Sequence, residues 1–341
     1  MKSFNQERSV SFFQKGSGGD AVALDIGTSY LKLGVVKNRE GLKAVEFARR
    51  PASPESLITL LKEWVEKHNL WKKPTFTSLS GPEVNIQYLP LPEVPKKELP
   101  SAVRIEAEQI LGESLEEMDS DFFVMRQGRE KKVLFVSVPK VLTDQRISFV
   151  QEAGLRPAGI TLDSLALGNA FLASEKPEKG TLVLNIGHRT SNIAVVEREN
   201  VLFVREVFWG IERIVKEITS TTNFDTQSVF DIFEKRKYSM INLQPYIEKA
   251  SSFLLEELEK TVTYLATIYF RVKKLSLVGG GSQIPFLPEF IAERLGIPLF
   301  SWNPLRSAGL PDHQRQGEAA FFALVAGLSL EREPVFQTKE F

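Results

Sequence analysis

The chain writes one pattern twice, and that repetition restricts its fold more than any other feature. Residues 23–36 read A-L-D-I-G-T-S-Y-L-K-L-G-V-V and residues 183–196 read V-L-N-I-G-H-R-T-S-N-I-A-V-V. A single offset of 160 sets Asn185 on Asp25, Ile186 on Ile26, Gly187 on Gly27, Val195 on Val35 and Val196 on Val36. Each copy is an apolar strand, a glycine turn and a second strand. A polar turn follows in both (Asn38, Arg39, Glu40; Arg198, Glu199, Asn200), then another apolar stretch, Leu202 to Phe208 in the second copy. What stands out between the copies is a change of chemistry at one position, aspartate 25 against asparagine 185.

The rest of the chain reads as alternating helices and strands. Helical patterns are predicted over 54–68 and 96–113, the second with Leu99, Val103, Ala107 and Ile110 on one face, and over 141–153, ending at Gly154. The proline-marked segment I-Q-Y-L-P-L-P-E-V-P at 86–95 is extended, and V-L-F-V-S-V-P at 133–139 reads as a buried strand. A long helix is expected over 247–269, a strand, glycine turn and helix over 274–296, and a final apolar helix over 317–330. At 341 residues the chain suits two domains, or one fold with subdomains. Forty-three Lys and Arg balance 43 Asp and Glu, which argues against a nucleic-acid partner. With no cysteine and three scattered histidines (His68, His188, His313), disulfides, thiol catalysis and zinc are not expected. No apolar run approaches the ~20 residues that span a bilayer and no signal peptide is evident, so a cytoplasmic location is expected. Any membrane contact would come through a partner or the short Val10, Phe12, Phe13 cluster, which otherwise reads as part of a solvated arm.

The glycine turns suggest their own chemistry. Backbone N–H groups of the turn at Gly27, Thr28 and Ser29 can converge on an anion, and Lys32 supplies a cation. Asp25 cannot grip phosphate, since both are negative, but can hold a hydrated Mg²⁺ that does. A second hairpin bearing Asn185, Gly187 and His188 would face the first across a polyphosphate. The third turn, Gly279, Gly280 and Gly281, has no side chains to obstruct a flat base or ribose.

In this order the three turns resemble the superfamily of actin, heat-shock chaperones and sugar kinases over roughly residues 21–330. The resemblance implies a duplicated, ribonuclease H-like α/β fold with ATP and Mg²⁺ in the cleft between its halves. Further motifs resemble the PilM family of type IV pilus assembly proteins. They are Y-L-P-L-P-E-V-P followed by a helix with the signature Glu106, Ala107, Glu108, Gln109; the join G-L-R-P-A-G-I-T-L-D-S-L-A-L at 154–167; and V-G-G-G-S-Q-I-P-F-L-P-E-F-I-A-E-R-L-G-I-P-L at 278–299. That family implies an actin-like fold with an FtsA-like inserted subdomain. The expected division is an arm at 1–19, a first half at 20–84, the insertion at 85–153, a second half at 154–310, a closing helix at 311–330 and a tail at 331–341. It also implies work at the inner face of the inner membrane, alongside other pilus platform proteins and with indirect membrane contact. There such proteins bind the N-terminal peptide of a PilN-like membrane protein, in a groove expected here along Val84, Ile86, Tyr88, Leu89, Val133, Phe135 and Val136.

Several residues depart from that pattern. Asn185 lacks the charge expected of the second phosphate turn, Ile211 and Val215 stand where a glycine and a threonine belong, and V-F-D-I-F at 229–233 lacks the polar residues of an A-E-x-x-K helix. Slow superfamily turnover rests on positioning and charge neutralisation, so ATP hydrolysis is expected to be weak or lost and nucleotide binding impaired. Asp163 is the candidate to orient an attacking water, or else caps the helix Ser164 to Phe171. His188 either contacts phosphate when protonated or is an exposed turn histidine. A small-molecule kinase of the same superfamily and an FtsA-like membrane-tethered filament protein are the alternatives.

Overall fold

The computed structural model describes residues 19–330, apart from 39–40, 128–129, 178, 309 and 311–315. The arm with Val10, Phe12 and Phe13, and the tail at 331–341, lie outside the described residues. The first repeat becomes β1 (Ala21–Ile26) and β2 (Tyr30–Lys37), followed by β3 (Gly41–Arg49), α1 (Pro54–Lys67) and β4 (Pro74–Leu79). Next come β5 (Asn85–Pro90), α2 (Leu99–Leu111), β6 (Met118–Gln127), β7 (Glu130–Pro139) and α3 (Lys140–Glu152), then β8 (Arg156–Leu162) and α4 (Asp163–Ser174). The second repeat forms β9 (Thr181–Ile186), β10 (Ser191–Glu197) and β11 (Asn200–Val207). The chain closes through α5 (Ile211–Thr221), α6 (Thr226–Glu234), α7 (Gln244–Ala250), α8 (Ser252–Thr267), β12 (Lys274–Val278), α9 (Leu287–Leu295), α10 (Pro304–Ser307) and α11 (Ala323–Ser329).

Three sheets result, with strand orders β3-β2-β1-β4-β8, β11-β10-β9-β12 and β5-β7-β6. The repeat survives to the level of register. Asp25 pairs with Lys32 across β1 and β2, and Asn185 with Asn192 across β9 and β10. The β2–β3 ladder shifts register between Val35 and Val36, and the β10–β11 ladder between Val195 and Val196, again 160 residues on. Equivalent bulges at equivalent places are shared construction, because a bulge is a specific local device for twisting a strand.

Between the two larger sheets lie α4 and α11, packed on each other. α11 rests on β1 and β2, while α4 rests on β10 and β11, so this helix pair joins the halves. One apolar core accordingly runs from Ala23 and Val36 through Leu165, Ala166 and Val325 to Val183 and Val204. The approach is close because of glycine: a Cβ on Gly327 would lie 1.9 Å from the Ala166 carbonyl oxygen.

The small sheet alters several expectations. On α2 the buried face is Val103 and Ala107 with Leu111 beside them, whereas Ile110 is half exposed. β7 is the middle strand, with β5 on one side and β6 on the other, and Leu89, Val133, Phe135 and Val136 are fully buried. These four side chains are core and do not line an open groove. Val84, Ile86 and Tyr88 pack toward the central core. The Tyr88 hydroxyl accepts from the Val204 N–H at 2.6 Å and donates to the Val204 carbonyl at 3.1 Å, and its ring stacks on Phe203 at 5.1 Å. The tyrosine thereby satisfies the outer edge of β11 and ties the small sheet to the second half. Tyr88→Phe leaves both Val204 groups unpaired and is expected to cost about 1–3 kcal/mol, read as a lower urea midpoint with an unchanged m-value.

The long helix expected over 247–269 is divided at Ser251 and stops at Thr267. Trp209 Nε1 donates to the Ala250 carbonyl at 2.7 Å, claiming an acceptor at the break. The closing segment is a 3₁₀ helix over Gln316–Phe322 before α11, rather than one continuous α-helix. No helix among the described residues is long and apolar enough to cross a membrane.

Candidate functional site

The two larger sheets flank a cleft of about 1350 Å³. All three glycine turns reach it: Gly27, Thr28 and Ser29 after β1, Gly187 and His188 after β9, and Gly279 and Gly280 after β12. Asp25, Lys32, Asn185 and Asp163 line it as well. Gly281 does not. A Cβ there would meet the Ile186 side chain at 2.1 Å, and one on Gly279, at φ +82°, would meet Asn185 Oδ1 at 2.4 Å. These two glycines let the turn pack on β9, whereas a Cβ on Gly280, which lines the cleft beside Gly279, would meet nothing closer than the Ile211 side chain at 3.4 Å.

The paired positions of the repeat differ in charge. Lys32 Nζ lies 2.8 Å from Asp25 Oδ2 and also 4.3 Å from the Phe321 ring centre. In the second half Asn185 Nδ2 donates to Asn192 Oδ1 at 2.9 Å. An ion pair in one half therefore corresponds to a neutral amide pair in the other. Asn192 is the residue that sequence comparison passed over, although the same offset of 160 places it on Lys32. Its Nδ2 is buried without a partner among the described residues.

Asp163 does not cap α4. The capping position is Leu162, and Asp163 is the first helical residue, its carboxylate bonded to the Ser78 and Ser80 hydroxyls. Burial raises its pKa, and the charge of Asp25 raises it further. Arg146, from α3, reaches the same floor and donates to Thr77 Oγ1 at 3.2 Å. Burial lowers its pKa to about 10, against the pull of Asp163 and Asp25, so it stays protonated at neutral pH.

Next to this cluster stands Glu206, opposite Asn192 across β10 and β11. Its Oε2 accepts from the Gly81 N–H at 2.8 Å, and its Oε1 has no partner among the described residues. Burial, then the nearby Asp163 charge, pushes its pKa up to about 8. A carboxyl pKa raised on folding means the native state binds the extra proton, so this contribution is complete below about pH 4.3 and is lost as pH rises toward 8. Stability is thus expected to fall across that window, and Glu206→Gln should flatten the fall and give the more stable protein at pH 8. Urea unfolding of both proteins at pH 5, 6, 7 and 8 checks this.

His188 is not an exposed turn residue. Its ring lies 5.2 Å from Phe230, and burial holds its pKa below the usual histidine value, favouring the neutral ring at pH 7. Ile211 lines the cleft at the start of α5, but Val215 is buried in the core of the second half and does not face it. The helix α6 supplies a carboxylate that the V-F-D-I-F alignment missed. Glu234 and Lys237 in F-E-K-R-K have the E-x-x-K spacing, and Glu234 lines the cleft. The Tyr30 hydroxyl donates to Glu234 Oε1 at 3.3 Å, and Arg49 Nη2 donates to Gln227 Oε1 at 3.2 Å. These contacts bridge the halves at the cleft mouth. Arg50 Nη1 donates to the Gly27 carbonyl at 3.0 Å and braces the first turn.

The family model described as type IV pilus assembly protein PilM matches residues 42–333. The chain belongs to the PilM family. Among solved structures, the PilM-PilN type IV pilus biogenesis complex matches with a TM-score of 0.81 at 24% identity, covering 92% of this chain and 99% of that one. The ethanolamine utilization protein EutJ from Carboxydothermus hydrogenoformans matches at 0.55, with 14% identity and coverage of 94% and 92%. MreB 5 of Spiroplasma citri, bound to AMPPNP, matches at 0.50, with 14% identity and coverage of 92% and 95%. No curated protein matches the chain. The PilM-family chain thus has the actin-like fold and is a type IV pilus assembly protein.

Proposed function

We propose that this PilM-family protein is a scaffold of the pilus inner-membrane platform whose cleft accepts a nucleotide but turns it over slowly or not at all. The observation that carries this reading is the Asn185–Asn192 amide pair, standing where the other half has the Asp25–Lys32 ion pair. Positioning and charge neutralisation are what phosphoryl transfer requires of a protein. A cleft that keeps one charged half-site and loses the other retains more of its binding than of its turnover. Convergence of Gly27, Gly187 and Gly280 on one space supports the nucleotide assignment.

The proposed partner is the N-terminal peptide of a PilN-like inner-membrane protein, which would hold the scaffold at the inner face of that membrane alongside other platform proteins. With Leu89, Val133, Phe135 and Val136 in the core, the surface suited to an extended peptide is the outer edge of β5, which among the described strands pairs only with β7. Strand addition needs only such a backbone edge, with pockets nearby for alternate side chains. Calorimetric titration with the cytoplasmic peptide of a neighbouring PilN-like protein, followed by hydrogen exchange, tests the assignment. Saturable binding with new protection at 85–90 is expected. No binding, or protection confined to the cleft, contradicts it.

A further inference from the structure

The fold implies a divalent metal beside the phosphates, and the residues present do not fit one. Asp25 Oδ2 is engaged by Lys32, and the corresponding residue of the second half is an amide whose nitrogen is bound to Asn192. The other aspartate of the cleft, Asp163, is held by the Ser78 and Ser80 hydroxyls. Among the described residues no group of three or more His, Asp or Glu is arranged to hold a metal ion. Hard divalent cations are held by oxygen ligands, chiefly carboxylates, carbonyls and water, and here both aspartates of the cleft already have partners within the protein.

Cations supplied by the chain occupy the same region instead. Six Lys and Arg side chains line the cleft against five Asp and Glu. Arg146 is the one brought to the floor from outside the repeat, carried on α3, within the electrostatic reach of both Asp25 and Asp163. Thr77 fixes one of its nitrogens, and a guanidinium has five N–H donors in a planar fork suited to phosphate oxygens.

We propose that Arg146 takes the place of the divalent metal, so that the cleft holds the polyphosphate of a nucleotide without Mg²⁺. This rests on the nucleotide reading above. Lys32 and Arg146 face Asp25 and Asp163, so neither aspartate is left free to anchor a dication, while the donors of the Arg146 guanidinium that Thr77 does not take are available to phosphate oxygens. A bidentate guanidinium–phosphate contact supplies orientation as well as attraction, as a metal would.

Calorimetric titration of the full chain with ATP, once in EDTA and once in Mg²⁺, tests the proposal. Dissociation constants within about threefold of each other are expected, and Arg146→Met should weaken binding in EDTA by about tenfold or more, as loss of a charge-assisted contact does. Arg146→Lys should recover part of that loss. Binding by the wild-type chain only with Mg²⁺ overturns this inference and leaves the nucleotide reading standing. Absence of binding under both conditions overturns both. Unchanged affinity of a folded Arg146→Met in EDTA removes Arg146 from the role. If Arg146→Met does not fold, Arg146→Lys replaces it, and affinity of that variant in EDTA equal to wild type removes the bidentate guanidinium contact.

Discussion

Gly327→Val is expected to destabilise the protein more than any other single change considered, by about 3 kcal/mol or more, and to reduce soluble yield. The reason is backbone geometry. Even a Cβ at this position would sit 1.9 Å from the Ala166 oxygen and 2.5 Å from its carbonyl carbon, and neither is the flexible end of a side chain. Relief requires α11 and α4 to separate. Those helices carry the core that joins the sheet of the first half to that of the second, so separation opens cavities on both sides. Gly327→Ala should show the same effect more weakly. Denaturant unfolding checks the pair, and near wild-type stability for Gly327→Val would contradict the helix crossing described above.

The second large effect concerns the exchanged half-site. Asn185→Asp places a carboxylate in a 7% exposed position whose neighbour Asn192 carries no charge. Desolvation disfavours the charged form, so its pKa rises on folding. Stability should drop by about 2–3 kcal/mol at pH 7 and by less at pH 5, because a raised carboxyl pKa removes stability as pH increases. Adding Asn192→Lys recreates the arrangement of Asp25 and Lys32. The double variant should regain at least about 1 kcal/mol over the sum of the singles, the scale of coupling between contacting residues. A coupling near zero would mean that the two hairpins are not equivalent in their side-chain packing.

Much of the architecture is written locally. A strand, a glycine turn and a returning strand can be recognised without distant partners, which is why the offset of 160 survives into registers and bulges. The order of the three turns was legible for the same reason. Contacts assembled over long sequence separations were not. Arg146 and Asp163 meet at one floor only because α3 and α4 flank β8. Burial of Val133 and Phe135 depends on β7 being a middle strand, which alternation along one strand does not reveal. The break at Ser251 depends on an indole from position 209. Val215 stands at the threonine position of the family pattern, but the rotation of α5 turns it into the core, which sequence position alone does not reveal. Glu234 was missed because the motif it belongs to was set against residues slightly upstream.

The chain has an actin-like cleft with one Asp–Lys pair and, at the equivalent place, one neutral amide pair, and the proposed consequence is that turnover is slow or absent. Phosphate release from Mg-ATP, followed in steady state with and without the PilN-like peptide, tests it most directly. The account predicts no sustained turnover above about 10⁻³ s⁻¹, little more than the slow intrinsic rate of an unassisted nucleotide hydrolase. Sustained hydrolysis well above that rate by the wild-type chain, with Asn185 and Asn192 in place, would contradict it.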